Sequence, residues 1–133
     1  MLIVTSNDIP GYRIEAVLGE VMGMTVRAAN IGANIVASFR SIGGGEVDEY
    51  TKLVYDSRQQ VMQRMWQDAT SRGANAIVAM RFDTGDIAQA FSEVCAYGTA
   101  VVVEPIAGGQ PGATKQSAGV VAQQAQQPQP PMR

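Results

Sequence analysis

One thiol, Cys95, seven methionines and 12 carboxylates are the groups in this chain that could carry chemistry, and no histidine accompanies them. Without imidazole there is no Ser-His-Asp or Cys-His nucleophile system and no histidine-containing metal site. A soft-metal site needs several thiolates or imidazoles converging on one ion. A single copy of the chain offers one thiol, with Met22 and Met24 on one strand face as weak thioether ligands. Cys95 therefore has two readings. As a small core hydrophobe it needs nothing further; as a metal ligand it needs copies of itself from several subunits meeting on a symmetry axis. The residues favour the first, and Met22, Met24, Met62, Met65 and Met80 likewise read as core or interface fillers.

Acid–base chemistry would need two carboxylates to meet in a cleft. Glu15, Glu20, Glu46, Asp83 and Glu93 lie on candidate ordered segments, but no spacing forces a pair together. Glu20 stands out because it interrupts an apolar strand face. Buried there it would require a partner, and Arg81 and Arg40 are the candidates. A structural ion pair accounts for it more simply than a catalytic carboxylate. The run "SIGGGEVDEY" puts three glycines ahead of a helix N-terminus, where free N–H groups attract anions. It lacks the Lys-Ser/Thr of a P-loop and the G-x-G-x-x-G spacing. Glu46, Asp48 and Glu49 would repel an anion, so the run reads as a connection or a subunit contact.

The bulk properties narrow the field further. The 133 residues suit one domain, and 46% of them are hydrophobic, enough for a core. A net charge of -2 supplies no basic field for nucleic acid. No apolar run is long enough for a membrane span, and "MLIV" is too short for a signal-peptide core. The expected compartment is the cytoplasm. A single cysteine excludes an intrachain disulfide.

Positioning falls to a few elements. Apolar and polar residues alternate from Tyr12 to Arg27, which predicts a strand. At about 3.3 Å per residue it is too long for a compact domain, so it bends at Gly19 or Gly23, or part of it pairs with another subunit. The even positions (Tyr12, Ile14, Leu18, Met22, Met24, Val26) form its main apolar face. Ile31, Ile35, Phe39 and Ile42 fall at helical spacing and predict a short helix. A longer helix is predicted over residues 46–72, with Val47, Tyr50, Val54, Val61, Met65 and Ala69 as its stripe. Tyr55, Met62 and Trp66 widen that stripe against the sheet, and Gly73 stops the helix. Strands over residues 75–83 and 91–104 follow, joined by "TGDIAQA". The pattern predicts an α+β, two-layer domain in which a mainly antiparallel sheet packs against one long helix. Residues 106–133, rich in Gln, Gly, Pro and Ala, predict a disordered tail, leaving 1–105 as the folded domain.

Arg40-Ser41-Ile42, Gly44-Gly45-Glu46, Tyr50-Thr51 and Leu53, followed by "GANAIVAMRFDT" and "EVCAYGTAVVVEP", resemble the motifs of the YbjQ family of small bacterial and archaeal proteins. The resemblance runs over residues 2–105. It implies a dodecin-subunit-like fold, assembly into rings that are usually pentamers, and a heavy-metal-binding label without a known reaction. This chain departs from the family pattern in its tail. It departs again at Cys95, where the pattern commonly carries an aliphatic residue, so a shared metal site does not follow from this thiol.

The residues that match the family motifs form a polar set: Arg40, Glu46, Tyr50, Arg58, Arg81, Asp83, Tyr97 and Thr99, with Glu20 beside them. It reads as a ligand pocket at a subunit boundary or as inter-subunit hydrogen bonds and ion pairs, the second being favoured. The functional expectation is a non-enzymatic homo-oligomeric ring, a pentamer or stacked pentamers, with no nucleic-acid or membrane partner. The alternative is a metal-binding protein using Cys95 and methionines from several subunits. An enzyme using Glu20, Glu46 or Asp83 with an arginine ranks last. Val17, Val21, Ile77 and Ala79 are the apolar residues expected on the sheet's second face, where a monomer would leave them wet.

Overall fold

The computed structural model describes residues 1–28, 48–88 and 91–128. Four strands, β1 (Leu2–Ile3), β2 (Tyr12–Ala28), β3 (Ala76–Ala88) and β4 (Phe91–Pro105), form one sheet in the order β1-β3-β4-β2. The β2/β4 and β3/β4 pairs are antiparallel, and β1 lies parallel to the start of β3. Helix α1 (Asp48–Ser71) covers one face, and a second helix, α2 (Lys115–Gln126), follows the sheet. The fold class is α+β, as expected. The short helix predicted around Ile31–Ile42 lies outside the described residues.

Val61, Met65 and Ala69 recur at four-residue intervals along α1 and are all fully buried, the stripe of a helix laid on a sheet. Beneath them sit Val21, Ile77, Met80, Ala96 and Ala100. Gly73 ends the helix with a φ of 84°, and the Ala74 amide donates to the Ala69 carbonyl at 3.1 Å, closing the last turn. A second cluster lies on the opposite face of the sheet, where Ala76, Val78 and Val101 alternate with the helix-side Ile77 and Ala100. There Ile9 folds onto Ala76, Val78, Val101 and Val103, with Leu2, Val4 and Tyr12 packed around them.

Three expectations need correcting. First, the faces of the sheet are exchanged. Val21 and Ile77 lie under α1, whereas Met22, Met24 and Val26 are exposed. Helix α1 seats on the side where Gly23 lets its backbone approach the strand. Register shifts fall between Ile14 and Ala16 and between Val17 and Gly19. Each rephases the pleat by one residue and the two together restore it, so the second parts the exposed Val17 from the buried Val21 while the even positions at both ends of β2 share one face. A third bulge lies between Val78 and Arg81, where Ala79 has a φ of 53°; it sends both Ile77 and Met80 to the helix side. Gly19 takes the bend with a φ of 99°, while Gly23 serves a different purpose, close approach of the helix. Second, β3 does not stop before "TGDIAQA" but runs through it to Ala88. Third, Lys115–Gln126 is helical where the composition predicted disorder. Thr114 caps it: its hydroxyl accepts from the Ser117 amide, and the Ser117 hydroxyl accepts from the Thr114 amide. Ser117 is fully buried against Gly11, so capping and docking supply what the composition lacks.

Candidate functional site: the uncovered strand face

The face of the sheet opposite α1 carries most of the chemistry-bearing side chains. Strand register sets them in rows. Glu20 pairs with Thr99. Met22 pairs with Tyr97, which pairs in turn with Arg81; Met24 pairs with Cys95, which pairs with Asp83; and Val26 pairs with Glu93, opposite Gly85. Directly opposed side chains stand with Cβ atoms about 4.5–5.5 Å apart. Met22, Met24, Val26 and Tyr97 are 45%, 42%, 49% and 37% exposed, so no described element covers this part of the face.

Cys95 is buried in the middle strand, its Sγ 3.8 Å from the Ala96 carbonyl oxygen. Burial pushes its thiol pKa up, and the negative charges of Glu93, Asp83 and Glu20 push the same way. Both effects disfavour the thiolate. The thiol is thus a poor nucleophile, and a metal must displace its proton to bind. Among the described residues no three His, Cys, Asp or Glu side chains converge as a metal set. The described residues of one chain hold Cys95, Met24 and Met22 on one face without closing a coordination sphere.

Arg81 is not the partner of Glu20. Its Nη1 donates to the carbonyls of Thr5 and Met80, both at 2.8 Å. That ties the N-terminal segment to the bulge at Ala79, whose amide donates to the Ser6 carbonyl at 2.8 Å. Glu20 is exposed rather than buried, so it needs no buried partner. Among the described residues the ion pairs are Arg13–Glu15 and Arg72–Asp68, both on the surface.

The structure therefore brings together Glu20, Arg81, Asp83, Cys95, Tyr97 and Thr99 and separates Arg58 from them. The Arg58 guanidinium stacks 4.9 Å from the centroid of the Phe82 ring on the helix side of the sheet, a cation–π contact. Arg40 and Glu46 lie outside the described residues, and Tyr50 is placed only as a position near the start of α1.

Sequence reasoning missed one residue and misplaced another. Asn75 completes the β4 ladder with its side chain: Oδ1 accepts from the Val103 amide at 2.8 Å, and Nδ2 donates to the Val103 carbonyl at 2.9 Å. Its place just after a helix stop, at the mouth of a strand, was the available signal. Trp66, expected to widen the buried stripe of α1, is 48% exposed. It lines an open hollow of about 490 Å³ with Ile3, Asp56, Gln59, Met62 and Gln63. Tyr55 is exposed on the same helix. No helix among the described residues is long and apolar enough to cross a membrane.

Comparison with known proteins agrees with this architecture. The model of the YbjQ family, described as "Putative heavy-metal-binding", matches residues 1–104. A UPF0145 protein of Mycobacteroides abscessus is 57% identical over 106 residues, covering 80% of this chain and 99% of that protein. A UPF0145 protein of the archaeon Picrophilus torridus is 48% identical over 110 residues, covering 83% of this chain and 93% of its own length. A solved structure from Pediococcus pentosaceus, a protein of unknown function in the DUF74 family, superposes with a TM-score of 0.50 at 17% identity and covers 78% of this chain and 98% of its own; that likeness concerns the fold alone. With the family match running from residue 1 to residue 104 and about half of all residues shared with near-full-length relatives, the chain belongs to the YbjQ family.

Proposed function

We propose that this protein is a non-enzymatic, homo-oligomeric ring, a pentamer by family resemblance, that holds a small ligand where subunits meet. The observation that carries the reading is the uncovered strand face. Met22, Met24, Val26 and Tyr97 form a contiguous apolar patch on a sheet whose opposite face is already packed. Patches of this kind in small soluble domains mark contact surfaces. Arg81, Asp83, Thr99 and Glu20 border it with polar groups, the mixture found at subunit boundaries and ligand sites. Size-exclusion chromatography with light scattering, combined with native mass spectrometry, tests the reading. A single defined oligomer near five subunits supports it, and a monomer at micromolar concentration overturns it. Replacing Met22 and Met24 together with serine should reduce the assembly to smaller species while the far-UV circular dichroism keeps its form.

A second reading is favoured by the Met24–Cys95 pairing and by the family description. Here sulfur ligands from several subunits bind a soft metal. Thioether and thiol donors select soft ions such as copper(I) over magnesium or calcium. Elemental analysis of protein purified without chelator checks it. Equal metal content in the parent and in Cys95→Ser removes this site.

A further inference from the structure

We infer that subunits join edge to edge by parallel strand pairing, the outer edge of β2 in one copy taking the outer edge of β3 in the next; this rests on the homo-oligomer reading above. Among the described residues the sheet has two open edges on opposite sides. β2 is 17 residues long and pairs with β4 alone, so among the described residues no strand lies on its other side. β1 pairs with β3 only at Ala76 and Ile77, and the hydrogen bonds that extend this contact end at Met80. From Arg81 to Ala88 the outer side of β3 has no described strand.

An open edge is a template for another chain, and proteins that stay monomeric blunt it with lysine, proline, bulges or cover. Neither Gly19–Ala28 nor Arg81–Ala88 contains a lysine or a proline. The bulges of β2 are confined to Ile14–Gly19, and the free stretch of β3 carries one register shift near its end, between Asp86 and Ala88. Glu20 is the first residue beyond those of β2, and pairing with β4 continues from it without a break to Ala28.

The geometry also sets direction and partner. Both β2 and β3 run antiparallel to β4, so they point the same way. A ring that continues the sheet around an axis along its strands therefore sets β2 of one copy parallel to β3 of the next. Such contacts are head-to-tail, the kind that closes into rings. Charge agrees with this pairing. Arg27 and Asp86 both lie opposite Ser92, so they stand at one height on opposite edges of the sheet. Arg27 gives its Nη2 to Gln60 at 2.9 Å, while its Nε is buried without a partner. Asp86 accepts from the Ser92 hydroxyl through Oδ1 at 3.2 Å, so its Oδ2 is the oxygen that the Arg27 guanidinium of the next copy would meet at that height.

Hydrogen exchange of the full chain, read by mass spectrometry beside native mass spectrometry, tests the pairing. In a strand with one neighbour every second amide points away from it and exchanges quickly. With neighbours on both sides nearly all are slow. Slow exchange throughout Glu20–Ala28 and Phe82–Ala88 in an oligomer supports the inference. An oligomer in which alternate amides of both segments exchange at exposed rates overturns strand pairing and leaves the ring reading standing; a monomer overturns both. Charge reversal supplies a second arm. Asp86→Lys should lower the subunit number with the circular dichroism unchanged, and adding Arg27→Asp should restore it. An Asp86→Lys variant that assembles like the parent counts against the Arg27–Asp86 contact and the register built on it.

Discussion

Gly23 of β2 lies directly beneath Val61 of α1, so close that a Cβ on the glycine would collide with the Val61 carbonyl oxygen and stand 2.6 Å from the Met65 amide nitrogen. Those atoms are helix backbone and cannot swing aside. Gly23→Ala must therefore lift α1 from the sheet and loosen the cluster of Val21, Val61, Met65 and Ile77. The expected cost is about 1–3 kcal/mol, read as a lower urea midpoint. Gly85→Ala, at a position with open space around it, is the control and should change the midpoint far less.

Cys95 should make stability fall at alkaline pH. Its folded pKa is raised from the ordinary value of 9.0, first by burial and then by Glu93, Asp83 and Glu20. Between the unfolded value and the higher folded one, the native state keeps a proton that the unfolded chain has lost. Stability is then unaffected by this group well below pH 9 and declines as pH rises through and above it. Urea midpoints compared between the parent and Cys95→Ala should converge towards the alkaline end of the range. A constant difference from about pH 7 to about pH 10 would contradict this.

Asn75→Ala removes both side-chain hydrogen bonds to Val103. The loss should cost about 1–3 kcal/mol, the usual penalty for stranding a paired backbone group. Asn75→Asp keeps the acceptor for the Val103 amide but faces the Val103 carbonyl with a second oxygen, so it should recover only part of the loss. Thermal unfolding of the three proteins ranks them.

Thr114→Ala takes away the hydroxyl that accepts from the Ser117 amide at the start of α2. A lost N-cap costs about 1 kcal/mol. A helix of 12 residues has little stability of its own. Amide exchange over Lys115–Gln126 should accelerate several-fold, while exchange within β4 stays as it was.

Much of this architecture was legible in local pattern. Alternation marked β2, the four-residue stripe of Val61, Met65 and Ala69 marked α1, and Gly73 marked its end. Those features depend on backbone period and on residues near in sequence, which is why they can be read without coordinates. The family motifs were legible in the same way. The sides of the sheet were not: the helix seats where Gly23 meets Val61, and the bulge at Val78–Arg81, which puts Ile77 and Met80 on one side, depends on the partner strand as much as on its own residues. Val21 and Ile77 consequently lie under the helix, while Met22, Met24 and Tyr97 stand in the open. Only the assembled sheet decided that Cys95 sits between Met24 and Asp83 and that Arg81 is spent on backbone carbonyls. Helix α2 was hidden for a related reason: its composition is poor in apolar residues, and its order comes from a cap at Thr114 and a seat against Gly11, more than 100 residues away in the chain.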